Sequence, residues 1–321
     1  GVQTCALPIS GAGLFGREHI RTLAGMDDVA IAGIADPGEA GRREVAARYG
    51  IELAVADVGE LIDRAALDGL VIATPGHTHV PIATLALSRG IPVLVEKPVA
   101  MEVAEADILI AAEAASTAFA LPGHILRFSA AYREALAIVR SGEIGDILSV
   151  STRRHRDDSH AARYPDIDPV LMTMIHDIDV AVWFTGAGLA SVLALRSPPE
   201  TFRSETLATG SGEKGCTWHL ASAWTYPTHD TPPDKLEVVG TEGSVEMEFG
   251  RRISVFGMKP RVIDLTAGPP DDELRTELTT FAAGIRAGAH PGGATLAEAR
   301  QGLAAADAIV RSLATRDVVR L

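Results

Sequence analysis

Four short segments carry residue types that could hold a dinucleotide and move a proton. The first is Gly11-Ala12-Gly13-Leu14-Phe15-Gly16, with G-x-G-x-x-G spacing. Gly11 would allow a tight turn, Gly13 a close backbone approach to a pyrophosphate, and Gly16 close packing of helix on strand. A helix opening at Leu14 and Phe15 would offer free N–H groups to phosphate. Asp36 lies 20 residues beyond Gly16, at the end of an apolar run. A carboxylate there would bind an adenosine ribose and repel a 2′-phosphate, which favours NAD over NADP. Arg42 and Arg43 keep NADP possible. The plainer alternative is a tight strand-to-helix turn with Asp36 as a helix cap.

The second segment is Thr74-Pro75-Gly76-His77-Thr78-His79, after an apolar strand. The carboxyl end of such a strand lines the ligand crevice of an open sheet, so Thr74, Pro75 and His79 are cofactor-side candidates. The third is Glu96-Lys97-Pro98. An ammonium at the end of a buried strand is costly unless paired or used, and desolvation there moves a lysine toward acid–base work. A strand-terminal salt bridge is the alternative. The fourth is His176-Asp177-Ile178-Asp179, in an otherwise apolar helix. A neutral His176 or Lys97 could act as a general base. A histidine among Met and Ile is otherwise a satisfied core residue. Nothing reads as a metal site: His77 and His79 have no third ligand nearby.

These segments need elements to hold them. Val29–Asp36, Leu70–Thr74, Val93–Glu96 and Phe119–Leu121 read as buried parallel strands separated by helical stretches such as Arg42–Tyr49 and Glu102–Ser116. That alternation predicts an α/β, doubly wound parallel sheet over residues 1–122. Residues 123–321 read as a second, α+β domain with a large, open, mostly antiparallel sheet. Its strands run densely from Ser191 to Leu265, and helices at Glu273–Ala287 and Thr295–Ser312 close the chain. Pro169–Phe184 reads as one long helix with Asp168 as its N-cap. Gly1–Ser10 occupies the place of a first core strand, yet Pro8, Gln3 and Thr4 weaken the pattern. It reads as foreign sequence overwriting that strand.

Composition narrows the function. The chain has 321 residues, 47% of them hydrophobic, and Lys plus Arg 29 against Asp plus Glu 42 gives a net charge of −13. That excludes a disordered chain and disfavours nucleic acid as a partner. No uncharged apolar run is long enough to span a membrane, and no leader is recognisable, so the cytoplasm is expected. Cys5 and Cys216 form no metal-type pair.

Taken together, GAGLFG, Asp36, ATPGHTH at 73–79, LVEKP at 94–98, GHILRF at 123–128, SGEIG at 141–145, HDID at 176–179 and GTEG at 240–243 resemble the glucose–fructose oxidoreductase / inositol dehydrogenase / rhizopine-catabolism (Gfo/Idh/MocA) family. The resemblance implies a Rossmann domain followed by an α/β domain whose open sheet builds homodimers or homotetramers. It implies NAD, with NADP possible, and oxidation or reduction of a secondary alcohol of a sugar, cyclitol or related polyol. It makes Lys97 the catalytic lysine and His176 the acid–base histidine, with Glu96 and Lys97 beside the nicotinamide. Many relatives carry an aspartate four residues before the histidine; here that residue is Met172. Asp166 or Asp168 could compensate from the helix start. Arg127, Arg153, His155, Met172 and Asp168 are the substrate-side candidates. The departure at Met172 leaves two other readings open. One is an enzyme for a nucleotide-sugar or for a non-carbohydrate carbonyl or imine. The other is a non-catalytic NAD-sensing or partner-binding protein.

Overall fold

The computed structural model describes residues 4–227, 231–268 and 270–321. The chain folds as two compact units. One is the chain up to Phe128 together with Asp272–Arg300; the other is Ser129–Asp271 with Gln301–Leu321. The break expected after residue 122 therefore lies at Phe128, and the helix Glu273–Ala287 joins the first unit. The cause is packing: Leu274, Leu278, Phe281 and Ala282 complete the core formed by Leu7, Ile9, Ile20 and Leu23.

The first unit holds a six-stranded parallel sheet. Its strands are β1 (Ile9–Ser10), β2 (Ile34–Ala35), β3 (Ala54–Val55), β4 (Leu70–Ile72), β5 (Val93–Glu96) and β6 (Ala120–Gly123). They lie in the order β3-β2-β1-β4-β5-β6, which reverses direction between β1 and β4 and so opens a ligand crevice there. Cys5–Ala6 pairs with Val29–Ala30 just upstream of β1 and β2. Val29–Asp36 is thus two short strands, not one; they part beside Gly33, where a Cβ would meet Leu61 Cδ1 at 2.6 Å. Cys5–Ser10 fills the first-strand position, with Leu7 and Ile9 fully buried. Leu7 and Ile9 N–H groups bond toward Ala30 and Gly33, while the Pro8 carbonyl accepts from Val71. The missing N–H of Pro8 therefore costs one bond on the β4 side.

The flanking helices are α1 (Leu14–Leu23), α2 (Glu39–Tyr49), α3 (Val58–Arg64), α4 (His79–Ser88) and α5 (Val103–Ala114). The edge strand β3 carried no sequence signal of its own. It is two residues long and only half alternates.

The second unit begins with α6 (Ala130–Arg140). It is built on a nine-stranded sheet: β7 (Ile147–Asp157), β8 (Leu189–Ser197), β9 (Glu205–Gly212), β10 (Thr217–Tyr226), β11 (Lys235–Gly240), β12 (Ser244–Glu248), β13 (Arg252–Phe256), β14 (Arg261–Asp264) and β15 (Val319–Arg320). The order is β14-β13-β12-β11-β7-β10-β9-β8-β15, antiparallel except where β7 meets β10. One face is buried through Val150, Trp218, Leu220, Val238 and Met247. The other leaves Leu195, Leu207 and Phe256 exposed. The short helix α7 (Ser159–Arg163) follows β7.

Residues Pro169–Phe184 do not form the uniform helix the sequence suggests. Val170–Met174 is π-helical and leads into α8 (Ile175–Thr185). The last helices are α9 (Glu273–Ala287) and α10 (Leu296–Thr315).

Candidate cofactor and catalytic site

The glycine turn shows three different reasons for glycine. Gly11 has φ +111°, and a Cβ there would lie 2.4 Å from the Ala73 carbonyl oxygen. At Gly16 a Cβ would lie 2.2 Å from the Gly11 oxygen. These two are demanded by packing and backbone conformation. At Gly13 a Cβ would meet nothing within 4 Å. Internal packing leaves that position free, as suits a surface kept bare for a ligand that lies against the backbone. Gly13 is also the N-cap of α1, with no side-chain cap and no acidic residue in the first turn. The first turn, at Leu14 and Phe15, therefore keeps N–H groups and a positive dipole end for an anion. Both side chains are exposed there.

Asp36 ties this turn to the end of β2. Its Oδ2 accepts from Ala12 N–H at 2.6 Å and its Oδ1 from Gly38 N–H at 2.7 Å. It is not the cap of α2, whose N-cap is Gly38. Arg42 donates to the Asp36 carbonyl at 2.5 Å, and Arg43 pairs with Glu39.

The glycine turn abuts the next strand end: a Cβ at Gly11 would lie 3.2 Å from Thr74 N. Thr74 Oγ1 accepts from Thr78 Oγ1, and Pro75 is exposed. His79 is buried and spans two backbone carbonyls, with Nε2 2.8 Å from Thr74 O and Nδ1 2.8 Å from Pro98 O. The ring thus clamps the Thr74 turn to the Lys97–Pro98 turn. Glu96 is buried at the end of β5; its Oε1 lies 2.8 Å from His19 Nε2 and its Oε2 accepts from Lys97 N–H at 3.1 Å. Lys97 itself is half-buried. The cofactor candidates Gly11, Gly13, Leu14, Phe15, Gly16, Asp36, Thr74, Pro75, His79, Glu96 and Lys97 are therefore gathered at the carboxyl ends of β1, β2, β4 and β5.

Arg127 stands apart from the substrate role expected for it. It is buried in the first unit and donates to Glu298 Oε1 at 3.0 Å. That ion pair, with a further bond to the Gly293 carbonyl oxygen at 3.4 Å, makes burial of the guanidinium tolerable.

In the second unit, His176 is on the first turn of α8. The residue beside it, Asp177, is fully buried and takes a two-pronged bond from Arg154, at 3.0 Å to Oδ2 and 3.1 Å to Oδ1. Arg154 also bonds Asp234 and the Tyr132 hydroxyl, and Arg156 adds a second fork onto Asp234. Burial pushes the Tyr132 phenol up to about 12. Burial raises the Asp234 carboxyl, but the Arg154 and Arg156 charges outweigh it and leave it below the ordinary range. This network anchors the His176 helix to β7. Sequence reasoning missed it, because Arg153-Arg154-Arg156 looks like a solvated basic run.

The alternation of β7 corrects two substrate candidates. Arg154 points at α8, so Arg153 points the other way, onto the open face of the sheet. There it lines a groove of about 500 Å³ with His219, Lys235, Glu237 and Arg252. His155 is on that same side, stacked on Tyr226 at 4.7 Å and pushed down by burial. Neither residue shares a face with the His176 helix.

Asp168 is also committed. Its carboxylate accepts from Arg196 at 2.6 and 2.9 Å and from Val170 N–H at 2.8 Å. Its side chain is thereby tied to the start of the π-helical turn and to Arg196 on β8. Met172 is half-buried in that turn, where four residues no longer make one α-helical turn. Thr173 accepts from Trp224 Nε1 at 2.9 Å and pins the turn to β10. Among the described residues no cluster of three or more His, Cys, Asp or Glu could hold a metal ion.

Residues 7–124 match the model of an oxidoreductase family with an NAD-binding Rossmann fold (Gfo/Idh/MocA), and residues 132–246 match that family's C-terminal domain. Inositol 2-dehydrogenase 1 of Saccharopolyspora erythraea is 30% identical over 209 residues, 64% of this chain and 62% of that protein. Inositol 2-dehydrogenase of Leifsonia xyli is 32% identical over 186 residues, 57% and 54% of the two chains. The chain thus spans less than two thirds of the curated relatives it matches.

Among solved structures, an oxidoreductase from Agrobacterium radiobacter in complex with NAD+, L-tartaric acid and magnesium superposes with a TM-score of 0.88 at 18% identity, over 99% of this chain and 98% of that one. Scyllo-inositol dehydrogenase from Lactobacillus casei with bound NAD(H) and scyllo-inositol gives 0.85 at 21%, over 99% of both. These two likenesses speak to the fold.

Proposed function

We propose, from the premise that this chain belongs to the Gfo/Idh/MocA oxidoreductase family, that it is an NAD-dependent dehydrogenase of a cyclitol, sugar or related polyol. The observation that carries the cofactor side is the bare backbone at Gly13. It heads an uncapped helix at the reversal point of the sheet, with Asp36 at the next strand end. The glycine turn would hold the pyrophosphate and Asp36 the adenosine ribose, with the Thr74–Pro75 turn and Glu96 toward the nicotinamide side. NAD, when bound, supplies the hydride acceptor for oxidation of a secondary alcohol.

This chain's own residues do the rest. Lys97 extends from a turn whose backbone is fixed by Glu96 and by the His79 clamp. In its role the ammonium steadies an alkoxide and the neutral amine takes up a proton. His176 keeps the acid–base role that the family resemblance gives it, and its helix α8 is held to β7 by the Arg154–Asp177 pair. The substrate class rests on the relatives, which are named as inositol 2-dehydrogenases. Residence in the cytoplasm is part of the same proposal, supported by two unpaired, buried cysteines and the use of a soluble nicotinamide. So is a homodimer or homotetramer formed through the open sheet face. Its exposed Leu195 and Leu207 and its groove of mixed charge suit a self-complementary contact.

The test is nicotinamide absorbance with purified protein, NAD or NADP, and a panel of inositols, aldoses, sugar acids and nucleotide-sugars. The proposal expects NAD reduction by a cyclitol or sugar. Tight NAD binding with no turnover across the panel would remove the substrate assignment.

A further inference from the structure

Glu277 is an acidic residue in a place that rejects charge. It lies on the α9 face that carries Leu274, Leu278 and Phe281 into the core of the first unit. Its side chain is fully buried, and neither carboxyl oxygen has a hydrogen-bond partner. An ionised carboxylate so placed is strongly disfavoured. Helix α9 packs on α1, which carries His19, and on the short helical turn Ile125–Phe128, which carries Arg127, and Glu96 at the end of β5 lies near enough for its charge to act on Glu277. Arg127 is engaged with Glu298. Burial, and then the negative charge of Glu96, push the Glu277 carboxyl well above its ordinary range. Glu96 in turn divides its oxygens between His19 and the Lys97 backbone.

We propose that Glu277 is carried as an uncharged carboxylic acid, and that its ionisation at raised pH sets a second carboxylate against Glu96 and loosens the His19–Glu96–Lys97 arrangement. The first unit then has an alkaline limit separate from any proton step of turnover. This goes beyond the dehydrogenase reading and does not depend on it.

The sign follows from linkage. The unfolded glutamate loses its proton near the ordinary value of 4.5, whereas the folded one keeps it. The stabilisation is complete below that value and falls as pH rises, until the folded group ionises too. Within that window each pH unit shifts the unfolding equilibrium by up to about tenfold toward the unfolded state.

The experiment compares the whole protein with its Glu277→Gln variant, which keeps the shape and cannot ionise, by thermal and denaturant unfolding from about pH 5 to about pH 9. The variant is expected to match the parent at the acid end and to gain on it by up to about tenfold per pH unit. Parallel curves, or a variant weaker at every pH, overturn the proposal. Glu277→Met serves as a second uncharged variant should the amide fail to fold. Infrared difference spectra of the parent at neutral pH should show the carbonyl stretch of a protonated carboxyl that Glu277→Gln lacks; a carboxylate signature alone refutes it. NAD binding, read by fluorescence, should decline at alkaline pH in the parent and less in the variant. If NAD does not bind either protein, the dehydrogenase reading falls while the unfolding comparison still decides this one.

Discussion

Gly11, Gly13 and Gly16 belong to one motif, yet the structure separates them by cause. Gly11 and Gly16 are held by backbone oxygens at 2.4 and 2.2 Å from a Cβ, whereas Gly13 faces open space. Gly13→Ala should therefore change stability by less than about 0.5 kcal/mol, while weakening NAD by more than about tenfold. Gly11→Ala should cost about 1–3 kcal/mol or more, because it adds a left-handed conformation to a clash. Paired thermal melts and NAD titrations check both. Asp36→Ala should lower the preference for NAD over NADP; an unchanged ratio would refute its role. These residues were legible in the sequence because spacing and chain order define them. Arg154, Asp177 and Glu277 were not. A buried ion pair between β7 and α8 joins residues 23 apart, and only the inward parity that Arg154 shares with Val150 and Thr152 could have hinted at it.

At the level of elements, the His176 helix is the instructive case. Its apolar pattern reads as one α-helix from Pro169, and that reading makes Met172 the residue one turn before the histidine. The π-helical turn at Val170–Met174 breaks this arithmetic. Nothing in the residue types announces it; Trp224 on Thr173 and Arg196 on Asp168 impose it from the sheet. The helix depends equally on the Arg154 network. Arg154→Ala should cost about 3–5 kcal/mol, since it strands Asp177 in the interior. Within the network Asp234 should also give an acid limb, opposed by Asp177, whose carboxyl burial pushes up. Asp234 is held below its ordinary 3.8, so its stabilisation is present above that value and is lost as pH falls through the lower folded one. Asp234→Asn should lower stability at neutral pH and flatten this limb, as urea midpoints across acid pH would show.

Taken whole, the chain's first unit was the more legible. Parallel strands alternate with helices in order, so the sheet follows from local pattern and crossover rules. The nine-stranded sheet was legible in kind and not in order. Its centre pairs β7 with β10 and β11, strands from distant parts of the chain, and no local signal encodes that choice. Its exposed face carries a prediction at the same scale. Leu207→Lys should lower the mass measured by light scattering toward a monomer and leave the unit folded, since Leu207 is 46% exposed. An unchanged mass would move the interface elsewhere.

The central claim is that the glycine turn, Asp36 and Lys97 serve nicotinamide-dependent oxidation of a polyol. It is tested most directly by following nicotinamide absorbance with inositols and sugars for the parent protein and for Lys97→Met. The account predicts NAD reduction by the parent, and a variant that still binds NAD but has lost turnover by more than about a hundredfold, the scale of positioned acid–base catalysis. Turnover by Lys97→Met near the parent rate would contradict it.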